Sequence, residues 1–419
     1  MVRGRDIEYI SFLRHHRNVL LLCIAIFMSM IGFGMIFPLL PTLASTMGAS
    51  KTEVGIIATS FAVTRTMLVR PFGALSDRIG RKPMLIYGFL GYGVFMSSFA
   101  LAHDIYTLMF LRAMQGICSA CVWPAASALI ADSVTARERG RAMGYLGMST
   151  SVGLMFGPAF GGILKDLYGV QIPFLICGII TGSMPLLIKM SIDETVLDAK
   201  PLGRKISSFS GRSIFGWIID DYREIKNHTL SRTLFSIFIA GFIFNFAYAL
   251  IEPLLPIFVT EKIGASATEV GLAFTAAGLV GSIVRPIAGD LADKIGRKTP
   301  IVIGSLYSGI MTLPLIYIRS SADMIGIMGV RAVGWAMSDP ATLALLSDVS
   351  DERKRGKLFG LYQLSSGLGW MLGPITGGII YDLRGAELSF IITAVGTLLT
   401  AIILFKNLEE TLEVRRKNV

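Results

Sequence analysis

Seven ionisable residues stand inside long apolar stretches of this sequence: Arg65, Arg70, Arg112, Glu252, Arg285, Arg331 and Asp339. A charge in such a place is costly and marks a function or a partner. Asp339 has the most chemistry to offer, because a carboxylate held away from water gains and loses its proton nearer neutrality than a solvated one. Arg331, Trp335, Asp339 and Thr342 follow at spacings of four, four and three, which is one face of a helix, so Arg331, or Arg112 from elsewhere, is expected to tune Asp339. Glu252 is the second carboxylate, suited to proton coupling or to gating. Arg112, Gln115, Ser119 and Trp123 share a face of another helix and read as a polar stripe along a bundle interior or a wet cavity. Arg70 and Arg285, each followed by proline close to a turn, read as structural. This set can hold a polar solute and move a proton. It offers no covalent catalysis. There is no His-Glu-x-x-His, and the four histidines (His15, His16, His103, His228) lie outside the apolar stretches. No Gly-x-x-x-x-Gly-Lys-Ser/Thr phosphate loop is present either, so energy would come from an ion or substrate gradient. An enzyme is excluded on these grounds, and neither cofactor nor metal is expected.

The elements that must position these residues are membrane helices. The 419 residues are 53% hydrophobic and only 16% charged, against about 25% charged in soluble domains. The apolar residues come in runs of about twenty, the length that crosses a bilayer as a helix. Twelve runs are expected, near 19–43, 53–75, 83–102, 105–131, 142–164, 170–190, 233–259, 269–288, 300–318, 324–346, 358–380 and 386–405. The first contains Pro38 and Pro41 and runs straight into a second span, so it does not read as a cleaved signal. With the N-terminus inside, 29 of the 39 Lys and Arg fall in inner segments and five in outer loops: Lys51, Lys165, Lys262, Arg319 and Arg384. That bias places both termini in the cytoplasm and explains the net charge of +10 without nucleic acid. Cys23, Cys118, Cys121 and Cys177 lie within spans as small packing residues.

The sequence repeats itself at an offset of 216. Gly48-Ala-Ser-Lys-Thr-Glu-Val-Gly55 returns as Gly264-Ala-Ser-Ala-Thr-Glu-Val-Gly271, and Gly73-Ala-Leu-Ser-Asp-Arg-Ile-Gly-Arg-Lys82 as Gly289-Asp-Leu-Ala-Asp-Lys-Ile-Gly-Arg-Lys298. Gly157-Pro158-x-x-Gly161-Gly162 returns as Gly373-Pro374-x-x-Gly377-Gly378. Six spans return the chain to its starting side, so the two copies are parallel repeats about an axis along the membrane normal. The expected architecture is an all-α integral membrane protein of twelve helices in two six-helix bundles, 1–190 and 233–419. Between them, 191–232 is a polar cytoplasmic connector, with Ile214, Ile218, Tyr222 and Ile225 at the spacing of an amphipathic surface helix.

The repeated turn between spans two and three resembles the signature loop of the major facilitator superfamily, complete in both halves. Gly73, Asp77, Arg78, Gly80 and Arg81 carry it in the first copy, and Gly289, Asp293, Gly296 and Arg297 in the second. The glycines are read as permitting a tight reversal. The resemblance implies that Asp77 and Arg81 latch onto Asp132 at the inner end of span four, with Asp348 as the second counterpart. It also implies that Asp77 faces the N-terminus of span eleven. The span-four string around Arg112, Gln115 and Gly116 resembles the motif of the family's proton antiporters, with Cys118 where a small glycine is usual, and so implies that Arg112 assists proton transfer. Gly153, Gly157, Pro158, Gly161 and Gly162 resemble the antiporter motif of the drug:proton branch, although span eleven carries a similar string. Span one, Gly32-Phe-Gly34-Met-Ile-Phe-Pro38-Leu-Leu-Pro41, resembles that of twelve-helix drug exporters and is echoed by Glu252-Pro253-Leu-Leu-Pro256. Its paired prolines are expected to bend both helices.

Together these features imply a monomeric secondary transporter of the cytoplasmic membrane, exchanging small organic molecules for protons by alternating access. Solute import or facilitated flux of a sugar or organic anion on the same fold is the alternative. Span one lacks the carboxylate common in exporters of lipophilic cations, and Arg65 makes the first half cationic, which favours anionic or zwitterionic substrates.

Overall fold

The computed structural model describes residues 16–135, 138–196, 231–349 and 355–410. Regular structure among them is helical throughout. The first copy of the repeat forms α1 (Arg17–Thr46), α2 (Lys51–Ile79), α3 (Arg81–Ser98), α4 (Ile105–Asp132), α5 (Arg139–Tyr168) and α6 (Gln171–Ser191). The second forms α7 (Ser231–Ile251), α8 (Leu255–Ile263), α9 (Ala267–Ile295), α10 (Lys298–Ile310), α11 (Ser321–Val349), α12 (Arg355–Arg384) and α13 (Ala386–Asn407). Taken with α7 and α8 as one, these are the twelve expected spans. Ten are long and apolar enough to cross a membrane. The other two, α11 and α12, are 29 and 30 residues long and coincide with the expected tenth and eleventh spans. The amphipathic connector helix expected around 214–225 lies outside the described residues.

The repeat is written into the backbone as well as the sequence. Among the described residues, the glycines with positive φ are Gly48, Gly80, Gly169, Gly264, Gly296 and Gly385, three pairs at the same 216-residue offset. Each ends or starts a span where an L side chain would be strained. Helix starts repeat too. Ser50 and Glu53 form a capping box on α2, and Ser266 and Glu269 exchange the equivalent bonds at α9, 2.8 and 3.2 Å. Such boxes satisfy amide groups that a helix leaves unpaired at its first turn. Asp104 caps α4, and hydrogen bonds from the Thr107 hydroxyl and amide hold its carboxyl below the usual carboxylate range.

The paired prolines act differently in the helical assignment of span one and span seven: only span seven is broken. It is interrupted over Glu252–Leu254 and restarts as α8. Pro256 falls in the first turn of α8, where a missing N–H costs nothing.

Two compact units divide the chain. One holds Met1–Leu202, Pro253–Gly278 and Arg319–Ile325, the other Gly203–Glu252, Leu279–Ile318 and Gly326–Val419. In the first, α1 packs on α5, α2 on α4 and α3 on α6, over a core that includes Val19, Leu22, Ile26, Leu85, Phe89, Leu129 and Ile188. In the second, α7 packs on α12 and α13, and α10 on α13, around Leu234, Ile237, Ile301, Leu345 and Leu404. Leu90, Phe110, Ile179, Leu186 and Phe405 remain exposed, an apolar surface that only lipid would cover.

Candidate functional site

The repeated turns, after α2 and after α9, are built alike in the two units. In the first, the Arg81 guanidinium pairs with Asp77 one turn back, reaches Asp132 at 3.4 Å and donates to Ser76 at 3.1 Å. In the second, Arg297 pairs with Asp293 at 2.7 Å and with Asp348 at 3.0 Å. The second copy is the more enclosed: the Asp348 side chain is 11% exposed and the Asp132 side chain 38%. Arg78 is exposed. Gly80 and Gly296 alone make the reversals, with φ of 106° and 99°. Gly73 and Gly289, expected to share that task, lie inside α2 and α9 and have room for a side chain, because a one-residue turn needs only one glycine.

Two carboxylates that the motif reading passed over complete these turns. Glu194, just beyond α6, accepts the amides of Arg81 and Lys82 at 2.9 and 3.0 Å. Glu410, just beyond α13, accepts those of Arg297 and Lys298 at 2.8 and 3.1 Å. Each thus caps the helix that follows the turn, a favourable place for a negative charge. A Cβ on Gly80 or Gly296 would strike that same carboxylate. The signal was available: Asp193-Glu194-Thr195 and Glu409-Glu410-Thr411 stand 216 residues apart.

The intramembrane charges separate into two groups. In the first unit, Arg112, Gln115 and Ser119 are buried at 6, 0 and 1% exposure. Arg112 donates to Gln115, its guanidinium lies 4.7 Å from the Phe61 ring centre and 5.5 Å from that of Phe33, and Gln115 donates to the Met96 sulfur at 3.0 Å. Trp123 packs against the apolar core, so the expected polar stripe faces the interior of its own unit. Arg65 is exposed.

In the second unit, Glu252 and Arg331 form a buried pair at 3.5 Å, exposed 5 and 4%. Tyr248 donates to Glu252 at 3.1 Å and its ring lies 4.5 Å from the Arg331 guanidinium carbon. Asp339 meets a different cation, Arg285, at 4.0 Å, and Arg285 stacks on Trp335 at 4.2 Å. One expectation is corrected here. Arg331 does not tune Asp339: eight residues on one helix span about 12 Å along the axis, beyond the reach of one guanidinium. Arg285, expected to be structural, is the cation beside Asp339.

The glycine string packs helices. Gly153, Gly157 and Gly161 lie against the α1 backbone at Phe27, Ile31 and Met35, while Gly162 lies against Ala267 of α9. Gly271 in turn meets the Pro158 carbonyl. Beside them Asp166 accepts the Thr268 amide at 2.8 Å and its hydroxyl at 2.6 Å. In the second unit Gly369, Gly373 and Gly377 lie likewise against α7. Small residues four apart permit such approach.

A duplicated six-span frame, matching Asp–Arg–Asp clusters at its repeated turns and charges set within the spans define a polytopic secondary transporter. The family model of the Major Facilitator Superfamily matches residues 22–236 and 237–418, and the chain belongs to that family of transporters. It is 28% identical over 94% of its length to an uncharacterized MFS-type transporter, MJ1560, of Methanocaldococcus jannaschii, covering 98% of that protein. It is 26% identical to multidrug resistance protein 2 of Bacillus subtilis, over 86% of this chain and 87% of that one. Among solved structures it is similar to a bacterial homologue of the human lysosomal transporter Spinster, with a TM-score of 0.77, 17% identity and coverage of 95 and 97%.

Proposed function

We propose that this protein is a proton-coupled exporter of small organic molecules, working by alternating access in the cytoplasmic membrane as a monomer with both termini inside. The observation that carries the reading is the Asp339–Arg285 pair. At 4.0 Å, with side chains 34 and 29% exposed, Asp339 has a nearby cation without a tight bond to it, so protons can reach it and leave it. Glu252, buried against Arg331, is the second coupling carboxylate, and Arg112 assists transfer in the first unit. The latches at Asp77–Arg81–Asp132 and Asp293–Arg297–Asp348 hold one state of the cycle, and the glycine string sets how α5 packs. Similarity to a protein named for multidrug resistance supports efflux of drug-like molecules over import.

The test uses proteoliposomes with an imposed pH gradient and a panel of fluorescent organic dyes. Uphill dye accumulation should appear with the gradient, vanish with a protonophore and be absent in Asp339→Asn, while downhill dye exchange persists in that variant. Gradient-independent flux would establish the facilitator alternative. Full uphill transport by Asp339→Asn would move the coupling role to Glu252.

A further inference from the structure

We propose that the first unit holds an anion subsite formed by Arg65 with Arg112 behind it, and that the molecules carried include aromatic carboxylates or sulfonates. This rests on the reading of the chain as a carrier of small organic molecules and names their charge.

Arg65 and Arg112 have no carboxylate partner among the described residues, unlike Arg81 of the same unit. The Tyr92 phenol lies within electrostatic reach of both. The second unit differs: Arg285 has Asp339 and Arg331 has Glu252. Arg112 is 94% buried by its 6% exposure, its Nε has no partner, and Phe33 and Phe61 flank its guanidinium. A buried cation with an unfilled donor and no carboxylate is an arrangement that an incoming anion would complete.

Arg65 is where such an anion would arrive. It is the fifteenth residue of the 29-residue α2, about 21 Å along the axis from either end. That depth puts lipid headgroups out of reach, which leaves a dissolved anion as the partner. It is exposed all the same, and the repeat-equivalent position, Gly281, faces open space as well. The aromatic rings around Arg112 suit an anion carried on a flat apolar body.

The test compares fluorescein, an anion, with rhodamine 123, a cation on the same ring system, by fluorescence anisotropy on the full-length protein in neutral detergent. Fluorescein should bind saturably and rhodamine 123 roughly tenfold more weakly or not at all. Arg65→Gln should weaken fluorescein binding about tenfold, while Arg65→Lys retains most of it, since a point charge suffices for attraction even where the planar fork is lost. The melting midpoint should be unchanged by either substitution at this exposed position. Absent fluorescein binding, equal or tighter binding of rhodamine 123, or unchanged affinity in Arg65→Gln would each overturn the proposal. Binding is read without a gradient, so its failure is distinct from failure of proton coupling, which the vesicle assay reads.

Discussion

The two Asp–Arg–Asp clusters proposed as latches have one plan and different burial, and this gives a comparison with its control inside the same molecule. Asp348→Asn and Asp132→Asn remove equivalent carboxylates. Asp348 lies 3.0 Å from an Arg297 side chain that is 4% exposed, whereas Asp132 lies 3.4 Å from an Arg81 side chain that is 13% exposed and is itself 38% exposed. Breaking a buried pair strands its partner at a cost of about 3–5 kcal/mol; because Asp293 still holds Arg297, about 2–3 kcal/mol is the expectation for Asp348→Asn. An ion pair open to solvent is worth about 0–1 kcal/mol, and Asp132→Asn belongs there. At about 2–4 °C per kcal/mol for a folding unit of 150–250 residues, the size of each unit here, melting midpoints should fall by roughly 4–12 °C for the first substitution and less than about 4 °C for the second. Intrinsic fluorescence on heating reads both, with Trp335 and Trp370 in the second unit and Trp123 in the first. Equal shifts, or a larger one for Asp132→Asn, would refute the argument that burial sets the strength of these latches.

Other substitutions test neighbouring parts of the frame. Glu194→Gln and Glu410→Gln should each cost about 0.5–2 kcal/mol as lost helix caps, seen as small losses in melting midpoint, with transport falling further than stability. Asp77→Asn, at a 61% exposed side chain, should leave folding nearly intact and abolish dye transport in vesicles, with cytoplasmic accessibility of introduced cysteines reporting an inward-open bias. Gly157→Val places a side chain into the α1 backbone and should eliminate folded protein in detergent extracts, whereas Gly147→Ala, with nothing within 4 Å, should leave yield unchanged.

Most of the frame was legible because membrane helices announce themselves locally, through apolar length, capping boxes and glycines at turns. What stayed hidden depended on contacts between helices. Face reasoning on α11 grouped Arg331 with Asp339, yet their partners come from elsewhere, Glu252 beyond α7 and Arg285 on α9. No periodicity within one helix encodes such a pairing. The break in span seven was half legible: prolines three apart occur in both spans, and only the placement of Pro256 in a first turn separates the interrupted helix from the continuous one. Glu194 and Glu410 were overlooked for a different reason. Carboxylates in polar tails look ordinary until the amides they accept are known.

The duplication itself separates frame from chemistry. Parts that build the fold occur twice at one offset: the turn glycines, the capping boxes, Asp77 with Asp293, Arg81 with Arg297, Asp132 with Asp348 and Glu194 with Glu410. The intramembrane charges are not duplicated. The equivalents of Arg65 and Arg112 are Gly281 and Met328; those of Glu252, Arg285, Arg331 and Asp339 are Ile36, Val69, Gln115 and Trp123. A charge that the same fold does without in its other half is not required by that fold, and a charge within hydrocarbon is too costly to persist as an accident. On the function proposed above, the charges without a copy in the other half, Arg70 beside its proline apart, are the ones assigned to substrate and proton. Under that proposal the cations without carboxylates in one unit serve the substrate and the paired carboxylates in the other serve the proton.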